Sequence, residues 1–138
     1  VIVFAPWHHL LKGLSNLLTE NKVEHAVVHG NISKNARDDI FSDFQLTSKY
    51  RLMLAHPKCV HHGLTLTAAS TIIWYSPTPS LEIYEQANAR IRRVGQKHKQ
   101  QFLHLHGTPV EKKIYSMLRT RQKMQDAFLA LIRDGNVN

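Results

Sequence analysis

The sequence has a single cysteine, Cys59, in 138 residues, so it can close no internal disulfide and offers no Cys-x-x-Cys pair for zinc or redox chemistry. This pattern fits an intracellular protein. A lone thiol near His61 and His62 could suggest a nucleophile with its base, but an inert buried cysteine accounts for it, and Cys59 is assigned no role. No apolar run approaches the roughly 20 residues that span a bilayer, and no basic-then-apolar leader opens the chain, so neither membrane insertion nor secretion is expected. No Gly-x-Gly-x-x-Gly follows the first apolar run, where the residues are Pro6-Trp7-His8-His9, which argues against a dinucleotide-binding domain. Nor does any stretch read Gly-x-x-x-x-Gly-Lys-Ser/Thr. Without that loop the β- and γ-phosphates of a nucleotide have no cradle here, and the domain is not expected to hydrolyse ATP alone. The chain opens directly on Val1-Ile2-Val3-Phe4-Ala5, which points to a single domain, residues 1–138, whose upstream neighbour is missing.

Acidic residues are scarce toward one end. The formal net charge is +8, and residues 1–85 contribute nothing to it, with seven basic and seven acidic side chains, whereas residues 86–138 hold eleven basic and three acidic. Such a field attracts phosphate backbones through counterion release, although a solvated basic helix face carries the same signature.

Short apolar runs at residues 1–5, 23–28, 51–55, 71–75 and 101–106 suit strands buried on both faces, as parallel strands are. Helical spacing fills the gaps. Leu10, Leu11, Leu14, Leu17 and Leu18 form one apolar stripe, and Ala36, Ile40, Phe41 and Phe44 a second behind a capping Ser33. Further helices are predicted over residues 80–94 and 109–133, the last with Pro109 in its first turn. The alternation predicts an α/β domain with a parallel sheet of about five strands covered on both faces, whose ligands meet the carboxyl ends of the strands.

Residues 80–96 carry the densest chemistry. On a helix turning about 100° per residue, Gln86, Arg90 and Arg93 share a narrow arc away from Leu81, Tyr84, Ile91 and Val94. Guanidinium forks suit phosphate oxygens and can neutralise charge on a transferring phosphoryl group. The same spacing also fits a surface helix with Glu82 and Glu85 paired to arginines one turn on.

The string Gln86-Ala87-Asn88-Ala89-Arg90-Ile91-Arg92-Arg93-Val94-Gly95-Gln96 resembles the last conserved motif of the Swi/Snf-type ATPases of helicase superfamily two. Other blocks are similar in order. Val1-Ile2-Val3-Phe4-Ala5-Pro6-Trp7 resembles the first strand of the family's second lobe. His29-Gly30 with Arg37 and Phe44 resembles its next block, and Gly63-Leu64-Thr65-Leu66-Thr67-Ala68-Ala69 its Gly-Leu-Asn-Leu-Thr-Ala-Ala. The His56-Pro57 step and the Gln-Ala-Asn-Ala-Arg string most resemble phage-encoded members. Two departures stand out: His56-Pro57-Lys58-Cys59-Val60-His61 replaces the usual Ser-Thr-x-Ala-Gly-Gly, and Thr65 replaces Asn.

The resemblance implies a RecA-like three-layer domain, the second lobe of a DNA-dependent ATPase, helicase or translocase. ATP and Mg²⁺ would be held mainly by a missing N-terminal RecA-like lobe, and duplex DNA would be the other partner. It implies arginine fingers at Arg90 and Arg93, nucleotide-side contacts from Gln86, Gly63 and Thr65, and DNA-phosphate contacts from Gly30 and Arg37; where this sequence departs from the glycine cradle, the side chains of Lys58, His56 and His61 would contact phosphate instead. A phage origin would place the protein in a bacterial cytoplasm.

Other readings stand beside this one. His61-His62 and the pair His104 and His106 invite a metal, yet no acidic or cysteine ligand stands near at a recognised spacing, and no metal is expected on this chain. Trp74 and Tyr75 lie in an apolar strand and read as core, leaving Trp7, at a strand end, as the better base-stacking candidate. The rival function is a non-enzymatic DNA-binding module tracking phosphates with Lys112, Lys113, Arg119, Arg121, Lys123 and Arg133 of the last helix.

Overall fold

Five parallel strands form one sheet in the order β2-β3-β1-β4-β5, with β1 Ile2–Phe4, β2 His25–Val28, β3 Leu52–Ala55, β4 Thr71–Trp74 and β5 Gln101–His104. These come from a computed structural model, which describes residues 1–60 and 64–135. His61, His62 and Gly63 therefore lie outside the described residues. Helices α1 (His8–Glu20), α2 (Lys34–Leu46), α3 (Leu81–Asn88) and α4 (Pro109–Arg133) alternate with the strands, and a short 3-10 turn, Pro57–Val60, follows β3.

The strands alternate their side chains between two cores, which makes the domain three layers deep. On one face Val3 and Leu54 pack against Leu11 of α1, with Leu10, Leu14 and Leu18 beside it. Leu17, at the margin of the predicted stripe, stays exposed. On the other face Ile2, Phe4, Met53, Ile72 and Trp74 meet Phe41 and Phe44 of α2, Tyr84 and Ala87 of α3, and Tyr115 and Leu118 of α4. Ser33 caps α2, its side-chain oxygen accepting from Ala36 N at 3.2 Å, and Thr108 caps α4 ahead of Pro109 by accepting from Glu111 N at 3.2 Å.

Two expectations need correction. Strand β5 is not buried on both faces: it is the edge strand beyond β4, with Gln101 and Leu103 exposed. The helix predicted over residues 80–94 stops at Asn88. Arg90 ends it, since its Nε donates to the Gln86 carbonyl at 2.8 Å, taking the acceptor its own backbone N–H would use in an α-helix. That N–H turns instead to Ala87 O at 3.2 Å, and Ile91 N follows to Asn88 O at 3.4 Å, tightening the chain into a turn. Gly95, with φ +101°, occupies a backbone conformation that side chains disfavour, so the chain can turn again before β5.

Candidate functional site

Both motif arginines converge on residues 64–67, and the turn after α3 brings them there rather than a shared helical arc. Arg90 Nη1 donates to the Leu64 carbonyl at 3.3 Å, and Arg93 Nη1 donates to Thr65 Oγ1 at 3.0 Å. Arg90 is only 7% exposed. Among the described residues no carboxylate forms an ion pair with it, and its partners are two neutral carbonyl oxygens. Burial, and secondarily the charge of Arg93, pull its pKa below the usual arginine value, yet a guanidinium stays charged at neutral pH. A buried cation without a counter-ion is costly. An anion arriving between Arg90 and Arg93 would offset that cost.

The other expected members fall out differently. Gln86 Nε2 donates to Glu82 Oε1 at 3.2 Å, so its amide faces back along α3 and it supports Arg90 through its main-chain oxygen. The Glu–Arg ion pairs that the spacing also allowed do not form among the described residues. Arg92 stacks over the Phe102 ring at 4.3 Å and leaves the cluster.

Residues 64–70 are held by two glutamines that sequence reading passed over. Gln45 Oε1 accepts from Ala68 N at 2.9 Å while its Nε2 donates to Thr67 Oγ1 at 3.0 Å. Gln96 Nε2 donates to the carbonyls of Ala69, 2.8 Å, and Ile91, 3.0 Å, tying the loop to the arginine turn. The closing Gly95-Gln96 of the motif was the visible signal for Gln96; nothing in the sequence marked Gln45.

A second group of residues gathers at the carboxyl edge of the sheet. Gly30 follows β2 and is exposed, with open space where a side chain would be. Arg37, in the first turns of α2, is half-buried and lines a hollow with Lys34, Cys59 and Leu64. Lys58 is exposed in the turn after β3. His56 is committed internally: its Nδ1 accepts from Lys58 N at 3.2 Å, so Nε2 carries the proton and donates to the Pro6 carbonyl at 3.1 Å. Burial, foremost, pulls its pKa down. With both nitrogens engaged, His56 positions Lys58 and does not itself offer a donor to phosphate. His8 lies between His29 and His56, with ring centroids at 5.2 and 6.1 Å. Among the described residues no group of three His, Cys, Asp or Glu could hold a metal ion, and no helix is long and apolar enough to cross a membrane.

Of the two aromatics expected in the core, Trp74 is fully buried but Tyr75 is 37% exposed, while Trp7, the base-stacking candidate, is 56% exposed and Tyr84 is nearly fully buried. His104 is bonded to Tyr84 Oη at 2.8 Å, and the Tyr115 hydroxyl donates to the Trp74 carbonyl at 3.0 Å.

The helicase conserved C-terminal domain model matches residues 1–95. The DNA repair protein rad5 of Neurospora crassa is 30% identical over 96 residues, which is 70% of this chain and 8% of that protein. The SWI/SNF-related matrix-associated actin-dependent regulator of chromatin subfamily A-like protein 1 of Drosophila melanogaster is 28% identical over 125 residues, 89% of this chain and 16% of that protein. The chain thus spans a small fraction of both relatives. The crystal structure of the C-terminal part of the Fun30 ATPase domain superposes with a TM-score of 0.76 at 21% identity, covering 83% of this chain and 38% of that one, and confirms the fold.

Proposed function

Because the chain belongs to the helicase conserved C-terminal domain family, we propose that residues 1–138 are the second lobe of a Swi/Snf-type, DNA-dependent ATPase that translocates on duplex DNA. ATP binds in the cleft between this lobe and an N-terminal RecA-like lobe outside the chain. The observation that carries the reading is Arg90, buried, with no carboxylate partner among the described residues, and held by two carbonyls beside Arg93. In the closed cleft the two guanidinium groups stabilise the charge on the transferring γ-phosphoryl group. Gln86 positions Arg90 through its carbonyl, and Thr65 orients Arg93. Gly63 completes the nucleotide side. ATP and Mg²⁺ are held mainly by the other lobe, as the family resemblance implies.

At the carboxyl edge, Arg37, Lys58 and the backbone at Gly30 hold phosphates of one DNA strand, with His56 fixing the Lys58 backbone. Closure of the lobes on ATP shifts that grip along the strand. The phage-like strings of the sequence favour a viral gene expressed in a bacterial cytoplasm. The rival is a DNA-binding module built on α4. At about 100° per residue, Lys112, Arg119, Lys123 and Arg133 share one side of that helix and would form its phosphate-tracking stripe, whereas Lys113 and Arg121 fall outside it.

The test is ATP hydrolysis by the full-length protein with and without DNA, comparing the parent with Arg93→Ala. DNA-stimulated turnover that falls by about 10³-fold or more is expected of an arginine finger. Unchanged turnover in the variant, or none in the parent, would leave α4 as the functional surface.

A further inference from the structure

We propose that the cavity between the carboxyl ends of β1 and β4 takes one unpaired base of a nucleic-acid strand, stacked on Trp7. This rests on the reading of the carboxyl edge as the DNA-contacting one and goes beyond the duplex grip proposed there, since the base it takes lies outside the paired duplex.

Strands β1 and β4 are neighbours, yet β1 leads into α1 on one face and β4 into α3 on the other. Diverging connections of this kind open a crevice, the place where α/β sheets bind ligands. Here the crevice has a volume of about 270 Å³ and is lined by Pro6, Trp7, Pro57, Lys58, Pro79 and Ser80, among others. That is slightly less than the roughly 300–1,000 Å³ of a site for a drug-sized ligand, which suits one planar ring system.

Trp7 is an unusual residue for its position. It is the N-cap of α1, where a Ser, Thr, Asp or Asn would accept a backbone hydrogen bond, and its side chain makes no capping bond. It is also 56% exposed, whereas Trp74 is fully buried. A local rule broken at a largely exposed position is expected at a functional site. The three prolines fix their own φ angles, so the walls of the crevice are already set before anything binds. His56 stiffens them further, since its Nε2–H holds the Pro6 carbonyl while its Nδ1 accepts from Lys58 N. Ser80 Oγ accepts from Ile83 N and keeps its O–H to donate to an exocyclic carbonyl of a base. Lys58 places a positive charge at the mouth for the adjoining phosphate. An indole face with a cation beside it is the chemistry of a single-strand stacking platform.

The full-length protein is titrated with a thymidine oligonucleotide, with an abasic oligonucleotide of the same length, and with AMP, following the anisotropy of labelled strands and the emission that the parent has and Trp7→Phe lacks. Quenching of that emission by the thymidine strand and not by the abasic one is expected. Trp7→Ala should weaken the thymidine complex about 5- to 150-fold while leaving abasic binding unchanged, and Trp7→Phe should restore most of the loss. Equal quenching by the abasic strand, or no loss of affinity in Trp7→Ala, overturns the base site while leaving the phosphate grip intact. Tighter quenching by AMP than by the strand overturns it in favour of a free nucleotide. Binding of neither strand removes the base site and the DNA-contacting edge together, without touching the arginine test.

Discussion

The Arg93 guanidinium donates to Thr65 Oγ1 at 3.0 Å across 28 residues of sequence, and this bond fixes the direction of the more exposed of the two clustered arginines. Thr65 stands where the family motif commonly has Asn, and its shorter side chain still reaches. Thr65→Val keeps the shape and removes the acceptor. A net hydrogen bond is worth about 0.5–1.5 kcal/mol, which sets the expected loss in DNA-stimulated kcat at about 2- to 13-fold. Thr65→Ser should retain the bond and most of the activity. Steady-state hydrolysis by the full-length protein measures both.

Asn88 has a structural task that its place inside the motif conceals. It is fully buried at the end of α3, and its Oδ1 accepts from the Trp74 indole N–H at 2.9 Å. Asn88→Leu leaves that N–H buried with no acceptor. The expected destabilisation is about 1–3 kcal/mol, seen as a lower denaturant midpoint at unchanged slope. The variant's fold should otherwise persist, since Phe4 and Tyr84 still pack on the indole with ring centroids at 4.9 and 5.2 Å.

The five strands and four α-helices were legible in outline because apolar runs and helical spacing are local signals, whereas the 3-10 turn at Pro57–Val60 carried none. Leu10, Leu11 and Leu14 announce α1, and the run at Leu52–Ala55 announces β3. What could not be read is whatever depends on a partner far along the chain. Arg90 ends α3 by turning on Gln86 and then anchors to Leu64, so the helix boundary and the arginine cluster are one tertiary event. The same holds for His56, which sequence chemistry casts as a phosphate donor and which the fold engages at Pro6 and Lys58. Gln45 is an ordinary helical glutamine until residues 67 and 68 fold onto it.

Arg37 and Lys58 are expected to act on DNA through charge alone. Each phosphate contact removed should lower the slope of log affinity against log salt by about 0.9 for duplex DNA, uniformly across sequences. Arg37→Ala and Lys58→Ala therefore each flatten the salt dependence by close to one unit, and the double variant by close to two. Basal hydrolysis without DNA should be unchanged in all three. A salt slope equal to the parent's in either single variant would remove that residue from the DNA surface.

His104 predicts a specific window of acid sensitivity. Burial, and after it the charge of Arg119, hold its pKa down from 6.5 to about 4. Its ring is packed edge-on against Tyr115, with centroids at 4.8 Å, and bonded to the Tyr84 hydroxyl. The folded state thus keeps the imidazole neutral where the unfolded chain would protonate it. As pH falls below 6.5 the unfolded state takes up the proton first, so stability drops progressively until about pH 4, below which both states are protonated and this contribution ends. Above pH 6.5 the group has no effect. His104→Gln removes the titration while keeping a polar side chain toward Tyr84. Denaturant unfolding across this range should show a shallower loss of stability in the variant than in the parent, and parallel curves would mean that His104 titrates alike in both states.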